Sequence, residues 1–483
     1  MDVTERLTRA NDAPERPDAR YVLVWTQQTL RSHDNPLLQA ALQAGRRLSL
    51  PVLVYHGLRD DYPHASARLH RFILGASADM ARGLGKQGIA CVQHVARDGC
   101  RERGLVYRLA AQAALVFIDE HFTFVAKTQP LGFAARAGVA TWLVDAARLV
   151  PTRALPSSLT TTREFRAAHS LRRLAARQAL AAGGDEAAAA APYAGPLPFV
   201  PDRLADLDGG GLDALVARCE AIDHALPASE QHPATTAELD QRLALLGSQV
   251  AARYAWTRNN PALPFGTSML SPYLHFGKLA PQQAVDAVEQ AGVAPRASWK
   301  FFDELLTWRE WSHYRACHTP TLHRFGGLPA AVRVSLDAHA PDPRPYRCAL
   351  DDLLHGRSPS TVWNAAQRQW LATGWMHNNL RMYWATQLLR FTPDPATAWA
   401  TGCYLNDRLS LDGRDPATYA SLRWAFGEGA RPRRTPVYGA APKKGSGALM
   451  GRAGAAAWLA AAAVAPVPAL GLTGADGVLD SYR

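Results

Sequence analysis

Cysteine is scarce in this chain, and its cysteines form no close pairs. The six residues are scattered, and none is part of a Cys-x-x-Cys motif: Cys91, Cys100, Cys219, Cys317, Cys348 and Cys403. This pattern is typical of small buried apolar residues in a reducing compartment, and it disfavours a zinc or iron–sulfur site. We therefore expect no bound metal.

Long apolar runs are also lacking. No run reaches the roughly 18 residues that a membrane-spanning helix needs, so no membrane span is predicted. Residues 1–20 are polar and charged and lack the apolar segment of a secretory signal. We expect a cytoplasmic protein with no membrane partner.

Acidic residues are fewer than basic ones. The chain has 42 Asp and Glu against 53 Lys and Arg, a formal net charge of +11. A basic excess favours phosphate-rich partners such as nucleic acid, through release of counterions. Because an arginine-rich composition also follows from a GC-rich coding sequence, the charge alone leaves the partner open. With 483 residues, the chain is long enough for two domains.

The first part of the chain alternates strand-like and helix-like segments. Residues 21–25, 50–55 and 114–118 are short apolar runs, and residues 35–46 and 65–84 between them have helical periodicity. This alternation predicts a doubly wound parallel sheet over residues 20–150. No Gly-x-Gly-x-x-Gly motif follows the first run, so a dinucleotide fingerprint is absent here.

The rest of the chain changes character twice. Residues 151–240 contain an alanine-, proline- and glycine-rich stretch at 175–198, and they are predicted to connect two domains with some helix. Residues 241–440 are predicted to be helical throughout. Residues 441–483 are rich in alanine and glycine; one helix is predicted over 447–464, and the remainder is expected to be mobile.

A glycine and hydroxyl motif lies near the start of the helical part. Gly266 precedes Thr267, Ser268, Met269, Leu270 and Ser271, and such a turn at a helix start presents amide and hydroxyl donors to a phosphate. The alternative interpretation is an ordinary helix cap made by Thr267 or Ser271. The motif by itself leaves both interpretations open.

An acidic residue lies beside two tryptophans in the next helical segment. Residues 301–311 are predicted to form one amphipathic helix, on which Glu304, Trp308 and Trp311 share a face at i, i+4 and i+7. A carboxyl group beside indoles can bind the edge of a base while an indole stacks on its ring. The alternative is that Glu304 pairs with an arginine and that the indoles are core residues.

Tryptophan is unusually frequent between residues 363 and 424. One helical stripe there contains His377, Arg381, Trp384 and Phe391. Most such stripes are core packing, but a buried Arg381 needs an anionic partner, and Asp412 is the candidate. Such a pair suits a pocket for a flat redox-active ring.

These motifs together resemble the DNA photolyase/cryptochrome family, most closely the class II cyclobutane pyrimidine dimer photolyases. The resemblance spans roughly residues 20–440. It is carried by five segments: Arg258-Asn259-Asn260-Pro261, Leu270-Ser271-Pro272-Tyr273-Leu274-His275-Phe276-Gly277, Trp363-Asn364-Ala365-Ala366-Gln367, Arg381-Met382-Tyr383-Trp384-Ala385, and Tyr404-Leu405-Asn406-Asp407 through Asp412-Gly413-Arg414-Asp415-Pro416.

The resemblance implies a fold, a cofactor and a reaction. The fold is a Rossmann-like α/β antenna domain with a doubly wound parallel sheet, followed by an all-α domain that binds FAD. In the family, blue light drives an electron from reduced FAD to a pyrimidine dimer flipped out of double-stranded DNA, and the dimer splits. The antenna chromophore is left open between a deazaflavin, a folate and none, and a monomer is expected.

The resemblance also implies roles for individual residues. The FAD phosphates would be held by Tyr254 and by Thr267, Ser268, Met269, Leu270 and Ser271. The flavin ring would be faced by Asn406, Arg381 and Asp412, which with Glu304 form the predicted catalytic set. The dimer pocket would be lined by Glu304, Trp308, Met382 and Trp424. Electrons would reach the flavin through Trp363 and Trp384.

Three departures from the family pattern affect this assignment. Phe391 stands where class II members have a third tryptophan, so slow photoreduction of the flavin is predicted. Ala417-Thr418 replaces an Asn-Gly pair. Residues 374–379 resemble the class I form, which makes Asn378 a candidate contact to the lesion or the flavin; we place it with the lesion-binding residues.

Three alternatives to dimer repair remain to be weighed. The first is a cryptochrome-like photoreceptor that has the flavin pocket but does not repair DNA. The second is repair of (6-4) photoproducts, which generally needs a histidine acid, and His377 is the candidate. The third, a flavin-independent DNA-binding module, is disfavoured by the FAD motifs.

Overall fold

The computed structural model describes residues 3–182, 191–429, 435–472 and 474–483. Gly183-Gly184, which the sequence places in the connection between domains, lies outside the described residues. The strands are β1 (Leu7–Arg9), β2 (Tyr21–Trp25), β3 (Val52–Leu58), β4 (Ala90–Val95), β5 (Ala113–Asp119) and β6 (Thr141–Val144).

Helices make up most of the remaining structure. They are α1 (Pro36–Leu48), α2 (Ala67–Lys86), α3 (Leu105–Ala110), α4 (Phe124–Ala134), α5 (Thr162–Ala182), α6 (Gly209–Ala217), α7 (Thr236–Leu245), α8 (Ala251–Thr257), α9 (Ser271–His275), α10 (Pro281–Gln290), α11 (Pro295–Phe302), α12 (Glu310–His318), α13 (Ala330–Ala338), α14 (Leu350–Leu354), α15 (Thr361–Thr373), α16 (Asn378–Phe391), α17 (Pro395–Leu409), α18 (Pro416–Ala425), α19 (Gly447–Met450), α20 (Ala455–Ala463) and α21 (Ala475–Tyr482). No helix among the described residues is both long and apolar enough to cross a membrane.

The N-terminal part is a doubly wound α/β unit, as the sequence predicts. Its six-stranded sheet has the order β1-β6-β5-β2-β3-β4, and β1 alone is antiparallel. Every residue of β2 is buried, because helices cover both faces of the sheet. Val22 and Val24 pack on the side of α1 and α2, while Leu23 and Trp25 pack on the side of α3 and α4.

The C-terminal part is helical and built around tryptophan. Trp363, Trp370, Trp384 and Trp399 are completely buried where α15, α16 and α17 pack together. A second core is shared between the two parts of the chain, because Leu270, Tyr273 and Leu411 belong to the same apolar cluster as α1 and α2. The α/β unit therefore packs directly against the helices that surround the candidate site.

The segment with Glu304 differs from its predicted form. It is not one regular α-helix, because residues Asp303–Arg309 form a π-helical turn between α11 and α12. The wider turn changes which side chains share a face. Trp311 is buried against Phe165 and Tyr314, whereas Trp308 is 40 % exposed, so the predicted common face is wrong.

The tail also differs from its predicted form. The single helix predicted over residues 447–464 is two helices, α19 and α20, separated by residues that include Gly454 in a left-handed conformation with φ of 82°. The last helix, α21, packs against α17, and Tyr482 is buried. The predicted mobility of the tail and the predicted domain bounds stay predictions.

Candidate active site

The predicted phosphate-binding turn leads into α9 without a side-chain cap. The residue before α9 is Leu270, and no side chain caps the helix. Ser271 instead accepts a hydrogen bond from Trp375 Nε1 at 3.2 Å, so the interpretation of Thr267 or Ser271 as an ordinary cap is wrong. Met269 has φ of 51°, a conformation that non-glycine residues adopt rarely. Backbone in such a conformation is often found at functional sites.

Arg381 and Asp412 form the predicted ion pair. Arg381 Nη2 lies 2.9 Å from Asp412 Oδ1, and both side chains are buried. Ser410 also donates a hydrogen bond to this carboxylate. Burial raises the pKa of Asp412, but the charge of Arg381 and hydrogen bonds from Ser271, Ser410 and Arg381 more than offset it, so the pKa lies below its ordinary value. The carboxylate is therefore ionised at neutral pH.

Several polar atoms around this pair are buried and unpaired. Asn406 is fully buried, and its Nδ2 donates to Asp407 Oδ1 at 3.1 Å. Among the described residues, no group pairs with Asn406 Oδ1, Arg381 Nε or His377 Nε2. An unsatisfied buried polar group costs about 1–3 kcal/mol, so proteins seldom retain several together without a ligand. The residues present thus fit a flat polar ring such as a flavin.

Tyr254 and Glu304 lie near each other, and Arg258 interacts with both. Glu304 Oε1 is 2.6 Å from Arg258 Nη2 and 2.8 Å from Lys300 Nζ, which confirms the alternative that Glu304 pairs with an arginine. Tyr254 packs edge-on against Phe301, with ring centres 5.5 Å apart. Burial raises the pKa of Tyr254 to about 12, so its hydroxyl keeps its proton and can donate a hydrogen bond.

Two of the predicted lesion-binding residues, Trp308 and Trp424, lie in a partly open region. Trp308 and Trp424 are 40 % and 38 % exposed, and α18, which carries Trp424, packs against the π-helical turn that carries Trp308. Met382 is buried, while Asn378 is exposed at the first position of α16. Sequence reasoning missed Lys444, whose Nζ lies 5.2 Å from the centre of the Trp424 ring. Its position depends on the fold of the tail, for which the sequence carries no signal.

The predicted electron-transfer residues are in contact. The rings of Trp363 and Trp384 are stacked at 5.7 Å with an interplanar angle of 12°, and Trp363 Nε1 donates to the Trp384 carbonyl at 3.0 Å. Phe391 packs edge-on against Trp363 at 5.7 Å. Trp370, to which the sequence gives no definite role, packs against Trp384 at 5.1 Å. The structure thus places Phe391 third in line after the two tryptophans.

A cavity of about 590 Å³ lies mostly in the α/β unit, and Phe276 and Arg414 of the helical part contribute to its lining. It is at the carboxyl ends of β2 and β3, beside the point where the strand order reverses, which is where open α/β sheets usually bind ligands. The lining includes aromatic and basic side chains, among them Trp25, Tyr55, Tyr107, Arg136 and Arg414. Sequence reasoning did not find this cavity, because its walls come from many loops that are distant in the chain.

Comparison with known proteins gives a consistent picture. No protein-family model matches the chain. The chain is 28 % identical over 439 residues to the deoxyribodipyrimidine photo-lyase of Methanothermobacter thermautotrophicus, which covers 88 % of this chain and 90 % of that protein. It is 37 % identical over 174 residues to the deoxyribodipyrimidine photo-lyase of Arabidopsis thaliana, over 36 % of this chain and 35 % of that protein.

Solved structures show the same fold. The class III photolyase of Agrobacterium tumefaciens superposes with a TM-score of 0.60 at 18 % identity, over 85 % of this chain and 80 % of that one. An archaeal photolyase from Sulfolobus tokodaii with two FAD molecules superposes with a TM-score of 0.59 at 15 % identity, over 95 % of this chain and 99 % of that one. At these identities the match concerns the fold alone.

Proposed function

We propose that the chain, which resembles a deoxyribodipyrimidine photo-lyase over 88 % of its length, is a photolyase: a light-driven DNA repair enzyme that binds FAD. Its substrate is a cyclobutane pyrimidine dimer in double-stranded DNA, and it acts as a monomer in the cytoplasm. When bound, reduced FAD supplies the electron that opens the cyclobutane ring under blue light. The protein supplies position, a dry pocket and hydrogen bonds.

The observation that carries this proposal is the set of unpaired buried atoms around the Arg381–Asp412 pair. Asn406 Oδ1 is a hydrogen-bond acceptor without a partner among the described residues, and Arg381 Nε is a hydrogen-bond donor that also lacks one there. A flavin ring offers both donors and acceptors at its edge, so it can satisfy both atoms. We place Asn406 at flavin N5 and the ion pair beside the ring, and we place Tyr254 and residues 267–271 at the phosphates.

The partly open region beside this site suits an extruded lesion. Trp308 and Trp424 offer ring faces on which bases can stack, and stacking of this kind contributes about 1–3 kcal/mol per base. A dimer is already poorly stacked in the duplex, so extruding it costs less than extruding an intact base. Arg258 and Lys300 hold Glu304 Oε1, and we assign to this carboxylate the role of accepting a hydrogen bond from pyrimidine N3–H.

The decisive experiment measures flavin content and repair in the same preparation. The purified protein is expected to show flavin absorbance, and under reducing conditions it should repair a thymine-dimer oligonucleotide in blue light but not in darkness. Binding to that oligonucleotide should weaken with added salt. A colourless protein that does not take up FAD would refute the proposal. Bound flavin without repair would favour the photoreceptor alternative. Repair restricted to an oligonucleotide with a (6-4) photoproduct would favour the (6-4) photolyase alternative.

Glu304→Gln tests the lesion pocket separately from the flavin. It is expected to lower repair while leaving flavin absorbance unchanged, because Glu304 lies in the region assigned to the lesion. Glu220→Gln is the matched control, since Glu220 is an exposed carboxylate in the connecting segment after α6, with a side chain that is 61 % accessible. Nearly unchanged repair by Glu304→Gln would count heavily against the assigned role.

The cavity in the α/β unit supports a second chromophore. Its aromatic and basic lining fits a planar anionic molecule, and the Sulfolobus tokodaii structure is described as implying a novel light-harvesting cofactor. We place an antenna chromophore here and leave its class open between a deazaflavin, a folate and a flavin. An action spectrum of repair is expected to extend beyond the absorption of one reduced flavin. A spectrum explained by that flavin alone would contradict this assignment.

A further inference from the structure

The next-to-last residue of the chain reaches a buried carboxylate beside the candidate flavin site. Tyr482 is 5 % exposed, and its hydroxyl donates to Asp407 Oδ2 at 2.7 Å. Asp407 is 75 residues away in sequence and directly follows Asn406. None of the predicted site residues lies in the tail, and the sequence gives Asp407 no separate role.

All the acceptor positions of Asp407 are occupied. Oδ1 accepts from Asn406 Nδ2 at 3.1 Å and from the Arg414 amide at 3.0 Å. Oδ2 accepts from Tyr419 at 2.6 Å and from Tyr482 at 2.7 Å. Since a carboxylate has about four lone-pair sites, these donors fix its orientation completely.

The two tyrosines act as donors to this carboxylate. Burial, together with the nearby charge of Asp407, raises the pKa of both Tyr419 and Tyr482 well above its ordinary value, so both hydroxyls keep their protons. His64 Nε2 lies 3.1 Å from the Tyr482 hydroxyl oxygen. Because the Tyr482 proton is directed at Asp407, its oxygen is left to accept from His64. The tail is thus connected to Asp407 from one side and to the α/β unit from the other.

The orientation of Asp407 determines which atom of Asn406 faces the site. A carboxylate oxygen attracts the Nδ2 donor of Asn406 and repels its Oδ1, so the amide is held with Oδ1 outward. That Oδ1 is the atom without a partner among the described residues. We propose that Tyr482 is a positioning residue that, through Asp407, keeps Asn406 Oδ1 directed at the N5 edge of the bound flavin. This inference depends on the flavin site of the proposed function.

The geometry has a redox consequence that a purely structural role would not have. Two-electron reduction of FAD with uptake of one proton places a hydrogen on N5, so N5 becomes a donor, whereas in oxidised FAD it is an acceptor. A fixed Asn406 Oδ1 therefore favours the reduced flavin over the oxidised flavin. Releasing one of the two tyrosine donors loosens the carboxylate and weakens this preference.

The test compares three tyrosine variants in the full-length protein loaded with FAD. Tyr482→Phe keeps the ring and removes only the hydroxyl, and Tyr419→Phe does the same on the other side of Asp407. Tyr438→Phe is the control, because Tyr438 is as buried as Tyr482 but lies just before the tail, and its hydroxyl contacts Gln387. Each protein is titrated anaerobically with dithionite against a reference dye, and the ratio of reduced to oxidised flavin is measured at a fixed potential.

We expect Tyr482→Phe and Tyr419→Phe each to lower this ratio by about fivefold, the equivalent of one net hydrogen bond, and Tyr438→Phe to leave it unchanged. An unchanged ratio in Tyr482→Phe would overturn the inference even if the variant were less stable. The proposed function is tested separately by flavin uptake of the unaltered protein.

A second measurement does not depend on the flavin. Hydrogen exchange of the Arg414 amide, which donates to Asp407, is expected to be faster in Tyr482→Phe and unchanged in Tyr438→Phe. Equal exchange in the two variants would also overturn the inference. Should Tyr482→Phe fail to fold, Tyr419→Phe decides by the same two measurements.

Discussion

Removing the charge of Asp412 tests the ion pair at the centre of the site. Asp412→Asn keeps the shape of the side chain and leaves Arg381 as a buried cation without an anionic partner. Arg381 Nη2 is 2.9 Å from the carboxylate, and both side chains are more than nine-tenths buried, so water cannot replace the lost charge. Breaking such a pair from one side costs about 3–5 kcal/mol. We expect this loss in the free energy of unfolding.

The assay is urea unfolding at one fixed FAD concentration, because bound ligand adds its own stabilisation. Asp213→Asn is the matched control, since Asp213 pairs with Arg71 but its side chain is 64 % exposed. The control is expected to cost no more than about 1 kcal/mol. Arg381→Met combined with Asp412→Asn should cost clearly less than the sum of the two single changes, because the double variant leaves no isolated charge.

Two results would refute this reasoning. If Asp412→Asn and Asp213→Asn lost the same stability, the pair would not be isolated from solvent. If the stability losses of the two single variants added up to that of the double variant, the charges of Arg381 and Asp412 would not stabilise each other.

Three further predictions concern the relay, a helix end and acid stability. Phe391→Trp is expected to speed photoreduction of oxidised flavin, because the Phe391 ring centre lies 5.7 Å from that of Trp363 and phenylalanine is much harder to oxidise than tryptophan. Equal photoreduction rates of the two proteins by transient absorption would show that this position is not limiting. Gly374→Ala is expected to lower the free energy of unfolding in urea by about 1–3 kcal/mol, since Gly374 has φ of 72° and an added Cβ would lie 2.9 Å from Arg68 Cδ. An unchanged free energy of unfolding would exclude this clash. Burial lowers the pKa of five histidines to about 3 or 4 from the ordinary 6.5: His56, His64, His70, His232 and His377. Stability is therefore full above pH 6.5 and is lost below it, by about 1 kcal/mol per histidine at pH 5.5. A flat profile of melting temperature between pH 7 and 5.5 would contradict this prediction.

The sequence alone determined those features that depend on neighbouring residues or on a single physical requirement. The apolar runs at 21–25 and 114–118 predicted central strands of a parallel sheet, because strands covered on both faces must be apolar throughout. The pairing of Arg381 with Asp412 followed from the need of a buried guanidinium for an anion.

Only the tertiary structure decided features that depend on contacts between distant segments. The π-helical turn at Asp303–Arg309 separates Trp308 from Trp311, although a regular helix would align them. The contact between Tyr482 and Asp407 joins residues far apart in sequence, and the cavity in the α/β unit is enclosed by many loops. Periodicity reports how a side chain relates to its near neighbours in one element. Which distant groups meet is set by how the elements pack, and no local pattern carries that information.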